Sequence, residues 1–253
     1  MIGPKAANCL KTFWAALGFL SLVPTGRTTL LTPEEFGRFP AFYPPVGFLF
    51  GIDLLILWYL GTLVLPPMAT AILVVTLLVV LNRGFHLDGL ADAADALFSH
   101  KPTEVKLAIM KDSRQGTFGV LAIVLDIMIK VQFVTLAAPL APWVLLMWPV
   151  WGRAAASVVA VRSVYVGDDN GLGRWMVEKS TSKELFYAAL FTLVISLFGG
   201  GAAVLTGACA IFFGFFLTWV WRKTLGGVTG DLLGATIELT EIFSLIIFYI
   251  LVS

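Results

Sequence analysis

Apolar residues run in long blocks, at roughly 41–65, 67–85, 117–138, 140–161, 185–199, 202–221 and 232–252. Each approaches the ~20 residues that a helix needs to cross a bilayer core, with 185–199 the shortest. The links LPPM (Leu65–Met68), APLAP (Ala138–Pro142) and GGG (Gly199–Gly201) are short and uncharged. The connections at 25–40, 82–116, 162–184 and 222–231 are polar. With the N-terminal tail they hold every Lys and Arg except Lys130 and Arg153. The two kinds alternate along the chain, as connections on opposite faces of a membrane do. The bias of Lys and Arg toward the cytoplasmic side then assigns the polar connections to the cytoplasm and the C-terminus to the outside. The pattern predicts one all-α, polytopic integral membrane bundle over residues 1–253, with about seven spanning helices. A shorter apolar stretch, TFWAALGFLSLVP (Thr12–Pro24), follows Lys5 and Lys11 without a small-x-small cleavage site. It is too short to span and reads as a retained re-entrant or interfacial helix.

Composition strengthens this picture. Hydrophobic residues make up 58% of the 253 positions and charged ones 13%, against about 25% charged in soluble domains. Mean hydropathy is +0.91. The net charge of +1 provides no field to recruit nucleic acid, and none is expected as a partner. Cys9 and Cys209 lack metal or disulfide spacing and read as core filler.

Against that background the stretch HLDGLADAAD (His86–Asp95) is anomalous. Asp88, Asp92 and Asp95 are spaced i, i+4, i+7 and share one stripe of a helix. Three carboxylates on one face repel each other unless a cation sits among them. Mg²⁺ suits hard oxygen ligands and leaves coordination positions for substrate phosphates. Zinc fits less well, with His86 the one nearby nitrogen ligand and no thiolate. A solvated acidic face is the bland alternative, and the intervening Gly89, Leu90, Ala91, Ala93 and Ala94 are too apolar for it. Gly89 would allow close approach of a ligand or ease helix packing.

Two further clusters follow. LAIMKDSRQGTFG (Leu107–Gly119) precedes an apolar block and supplies Lys111, Asp112, Ser113, Arg114 and Thr117, with Gly116 and Gly119 for close backbone approach. Arg can grip a phosphate bidentately, and amides at a helix start near Thr117 would add a favourable dipole end. The alternative is a helix cap with snorkelling basic residues. WRKTLGGVTGDLLGATIELTE (Trp221–Glu241) has Arg222 and Lys223, a glycine-rich turn with Thr229, then Asp231, Glu238 and Glu241. Asp231 and Glu238, seven apart, share nearly one helix face. Ionisable groups entering a membrane helix are costly and usually functional; the structural alternative pairs them with Arg153 or Lys130. Asp126 and Lys130 form an i, i+4 pair within an apolar block and are assigned a structural role. Asp53 has no assigned role.

No GxxxxGK[ST], GxSxG or HExxH occurs, and only His86 and His100 are available, which disfavours Walker-type ATPases and His-based triads. Acidic clusters, cations and glycine turns on one membrane face suit metal-assisted phosphoryl or nucleotidyl transfer, with a carboxylate or His86 accepting a proton. A membrane location suggests one bulky or amphiphilic substrate.

GFHLDGLADAAD (Gly84–Asp95), IMKDSRQGTFG (Ile109–Gly119) and KTLGGVTGDLLGATIELTE (Lys223–Glu241) together resemble the three motifs of the cobalamin synthase (adenosylcobinamide-GDP ribazoletransferase) family. FLSLVPTGR (Phe19–Arg27) and FYPPVGFLFG (Phe42–Gly51) are similar too, so the resemblance covers essentially the whole chain. Ala93–Ala94–Asp95–Ala96 departs from the TADG or TCDG more common in the family, losing a hydroxyl and a glycine but no carboxylate. The resemblance implies a Mg²⁺-dependent enzyme of the bacterial cytoplasmic (inner) membrane, its active site facing the cytoplasm. It would join adenosylcobinamide-GDP to α-ribazole or its 5′-phosphate, releasing GMP. The implied metal ligands are Asp88, Asp92 and Asp95, with Asp231 and Glu238 as further candidates. Arg114 and Lys111 would hold the diphosphate, helped by Ser113, Gly116, Arg222, Lys223 and Thr229. His86 or Asp112 would act as base or substrate contact. CDP-alcohol phosphotransferases offer a looser analogy, since Asp92 and Ala93 stand where their DGxxAR pattern has Ala and Arg. A cation-coupled transporter is a different-class alternative, although most acids cluster at one face rather than at mid-membrane. A structural partner for other enzymes of the pathway is a third; homo-oligomers and association with such enzymes are both left open.

Overall fold

The computed structural model describes residues 4–25, 31–112, 114–167 and 171–253, with side chains from Cys9 onward. Among them the secondary structure is helical, apart from one isolated β-bridge. The chain opens with α1 (Pro4–Leu20) and a single turn, α2 (Pro33–Phe36), followed by α3 (Phe39–Thr62). α4 (Pro67–Leu81) leads into α5 (Phe85–Phe98), α6 (Thr103–Ile109) and α7 (Thr117–Ala137). The second half comprises α8 (Val144–Arg162), α9 (Leu172–Glu178), α10 (Ser182–Leu197), α11 (Gly200–Leu225) and α12 (Gly230–Val252).

α3, α7, α8, α11 and α12 are long and apolar enough to cross a membrane. With the bent pair α4–α5 counted as one span they make six among the described residues, against about seven expected. α10, at 16 residues, spans only about 24 Å at 1.5 Å per residue. α4 stops at Leu81, and α5 leaves it at 87°, so this pair is at most one broken span. The bend is made by two left-handed residues in succession, Arg83 (φ 56°) and Gly84 (φ 69°). Gly84 adopts that conformation without a side-chain clash. α1 is a short helix, as expected, with Ala15 and Ala16 fully buried. The cysteines depart from expectation: Cys9 is exposed and Cys209 partly so. Both sit on helices whose outer apolar faces need no protein cover in a bilayer.

α8 is the axis of the bundle, with 16 of its 19 residues buried. A helix apolar all round belongs inside, and AAAS (Ala154–Ser157) lets neighbours approach closely. A Cβ on Gly51 of α3 would strike the Leu146 backbone, and one on Gly214 of α11 would strike that of Ala155.

The charges inside this bundle are paired. Lys130 of α7 bonds Glu238, lies 2.9 Å from Glu241 and 3.1 Å from Asp126. Arg153 of α8 reaches Glu241 at 3.4 Å and donates to Asn82 Oδ1 at 2.6 Å. Asp126 and Lys130 therefore pair as their i, i+4 spacing suggested. Nothing in the structure accounts for Asp53, exposed on α3. Breaking a buried pair strands the remaining charge, so Lys130→Met should cost about 3–5 kcal/mol. The thermal midpoint in detergent should fall accordingly, and adding Glu238→Gln should recover part of the loss.

Candidate functional site

Two glycines set the site. A Cβ on Gly89 would collide with the backbone of Asp231, and one on Gly234 would press on the backbone of His86. α5 and α12 therefore cross backbone to backbone, bringing the first turn of α5 beside the first turn of α12. Of the two roles open to Gly89, helix packing is the one seen.

The start of α12 is held independently. Thr229 caps it, its Oγ1 accepting from Leu232 N at 3.3 Å and donating to Asp231 Oδ2 at 3.4 Å. The turn before it pairs with the segment after α8. Val228 N donates to Val164 O at 2.8 Å, and Val166 N donates to Val228 O at 3.0 Å. Gly227 fits against Val164 because a side chain there would meet its carbonyl.

The three aspartates of α5 have different surroundings. Asp88 is exposed, and Asp92 and Asp95 are partly buried. Gln115 Nε2 donates to Oδ1 of both Asp88 and Asp92, at 3.4 Å each. Asp95 instead accepts from Gly116 N (2.7 Å) and Gly119 N (2.9 Å). It thereby caps α7, whose first amides were expected to greet a phosphate. Glu238 pairs with Lys130, its Oε1 3.8 Å from His86 Nδ1. It belongs to the buried charge network rather than to the aspartate group. Among the described residues, no three His, Cys, Asp or Glu side chains stand assembled as a metal cage.

The basic loop is partly self-satisfied. Arg114 forks onto Asp112 through Nε (3.0 Å) and Nη2 (2.6 Å). These bonds hold the Asp112 carboxyl down at about 2, leaving it a weak base. Ser113 lies outside the described residues. Arg222 and Lys223 are exposed on the last turn of α11, with Lys223 over the Trp219 ring at 5.1 Å.

Two cavities meet at Asp231, Gly230, Gly173 and Phe19. The first, about 350 Å³, has His86, Asp88 and Asp231 in its wall together with Tyr43 of α3 and apolar side chains from α1, α9 and α12. The second, about 380 Å³, is lined by Lys111, Thr229, Asp231 and, from the connection after α8, Tyr165, Val166, Gly167, Gly171, Leu172 and Gly173. Three of the polar connections thus converge, as phosphate chemistry beside a metal would need. Gln115 was missed by sequence reasoning, although it sits inside the DSRQGT motif. So were residues 165–167, whose place depends on a pairing with Val228 some 60 residues away in sequence.

The model of the cobalamin-5-phosphate synthase family matches residues 12–249. A protein of Acetivibrio thermocellus is 35% identical over 244 residues, covering 95% of this chain and 98% of its own. A Geotalea daltonii protein is 36% identical, with 93% and 96% covered. One from Pseudomonas fluorescens is 38% identical, with 92% and 97% covered. All three are named adenosylcobinamide-GDP ribazoletransferase. No solved structure matches the chain.

Because Asp95 satisfies two backbone donors, Asp95→Ala should cost about 1–3 kcal/mol even with EDTA present. Hydrogen exchange should quicken at the Gly116 and Gly119 amides. Unchanged protection there would refute the capping role.

Proposed function

The chain belongs to the cobalamin-5-phosphate synthase family, and from that premise we propose the reaction it catalyses. Adenosylcobinamide-GDP gives up its adenosylcobinamide-phosphate group to α-ribazole or α-ribazole 5′-phosphate, and GMP leaves. A ribose hydroxyl oxygen of the acceptor bonds to the cobinamide-side phosphorus, the bond from that phosphorus to the GMP oxygen breaks, and the hydroxyl proton passes to a base. The observation that carries this reading is the Asp88–Gln115–Asp92 bridge beside Asp231, where two cavities meet.

The donor set fits Mg²⁺. Asp88, Asp92 and Asp231 offer hard oxygens and would hold it, with Gln115 donating to the first two. A bound Mg²⁺ would neutralise the diphosphate and stabilise the departing phosphate. Lys111 and Thr229, in the wall of the second cavity, would hold the diphosphate on that side. Arg114, Arg222 and Lys223 would add positive charge at the rim. His86, in the wall of the first cavity, is better suited than Asp112 to take the proton, since Asp112 is committed to Arg114. The surplus of Lys and Arg in the polar connections supports a site facing the cytoplasm from a bacterial inner membrane. A cation-coupled transporter is less well supported, because the buried acids are matched with Lys130 and Arg153.

Purified protein in detergent, given both substrates and Mg²⁺, should release GMP, and EDTA should stop it. Asp88→Asn and Asp92→Asn should each lower the rate on the order of 100-fold. Undiminished release from both variants would sink this reading.

A further inference from the structure

The first cavity has a character that phosphate chemistry does not call for. Beyond His86, Asp88 and Asp231, its wall includes Phe19, Leu20, Tyr43, Met176, Leu233 and Ile237. Its volume, about 350 Å³, falls in the ordinary range for small-molecule sites. Aromatic rings and a thioether favour a flat, polarisable occupant.

One polar group in that wall is poorly satisfied. Tyr43 is 3% exposed, and its hydroxyl donates to Met176 Sδ at 3.2 Å. A thioether is a weak acceptor, so this buried O–H would gain from a nitrogen or oxygen acceptor placed in the chamber. The second cavity, with Lys111 and Thr229, is the one whose side chains suit a phosphate chain. The two meet at Asp231, where the reacting phosphorus must meet the acceptor hydroxyl.

Building on the transferase reading above, we propose that the first cavity holds the aromatic base of the ribazole acceptor. The Tyr43 hydroxyl selects that base by donating to the ring nitrogen not bonded to ribose. A ribazole is a flat bicyclic base on a ribose, so its apolar rings would fill the Phe19–Met176 side. Its ribose would then lie toward Asp88 and Asp231. The proposal makes Tyr43 a specificity-determining residue: a base lacking the second ring nitrogen fits the same space but leaves the hydroxyl on its thioether.

The test compares two ribosides of the same shape, one of benzimidazole and one of indole, which carries C–H in place of the acceptor nitrogen. Calorimetric binding to the full chain in detergent with Mg²⁺ should favour the benzimidazole riboside about fivefold, the worth of one neutral hydrogen bond. Tyr43→Phe should erase that preference by weakening the benzimidazole riboside alone. A merely structural Tyr43 would weaken both alike. Met176→Leu, which removes the competing sulfur at similar volume, should keep or raise the preference. The chamber assignment is overturned by a wild-type ratio near one, by binding of neither riboside, or by equal losses in Tyr43→Phe. The first two results count even if that variant fails to fold. GMP release is scored separately: a wild type that binds the benzimidazole riboside selectively but releases no GMP overturns the transferase reading and leaves the chamber standing.

Discussion

The close passage of α5 over α12 brings Asp88 and His86 beside Asp231. Helices carrying ordinary side chains stay about 8–10 Å apart. Gly89 and Gly234 remove that spacing, since any Cβ would press on the opposing backbone. Asp88 and Asp231 therefore border the same cavity. Once the crossing is set, the Arg83–Gly84 bend is required, because α5 must leave the direction of α4 to lie across α12.

The charged residues fall into two populations with different physics. At the polar end, Asp88, Lys111, Arg114, Arg222 and Lys223 are exposed, so they can exchange one partner for another at little cost. Inside the bundle, Lys130, Arg153, Glu238 and Glu241 have virtually no exposure and no such freedom. His86 stands at the boundary, lining a cavity on one side and facing Glu238 on the other. Asp95 belongs to neither population: it spends its charge on the amides of α7 and so fixes the loop that carries Gln115.

The fold class and the polar connections were legible in the sequence because length and hydropathy report them directly. The number of spans was less so, since composition does not mark where an apolar run turns, and Leu81 and Phe85 belong to different helices. The helical stripe Asp88–Asp92–Asp95 followed from spacing. The separate employment of Asp95 did not, because its partners lie 21 and 24 residues away. Glu238 looked like a candidate ligand by its phase with Asp231, and only the three-dimensional position of Lys130 shows what it faces. Tyr43 lies in the family-like stretch FYPPVGFLFG, but nothing in the sequence pairs it with Met176, and the contact that makes both notable crosses 133 positions.

The buried polar contacts can be followed as a circuit. From Asn82 the path runs to Arg153, Glu241, Lys130, Glu238 and finally His86. Asn82 and His86 flank the Arg83–Gly84 bend, so the path leaves and re-enters the chain on the two sides of one hinge. Groups joined in this way do not contribute separately to stability. The charged members of the ring can therefore be exchanged in sequence space only as a set. A chain drifting by single substitutions would meet the ring as a constraint on which changes must come together, even though none of its members except His86 borders the first cavity.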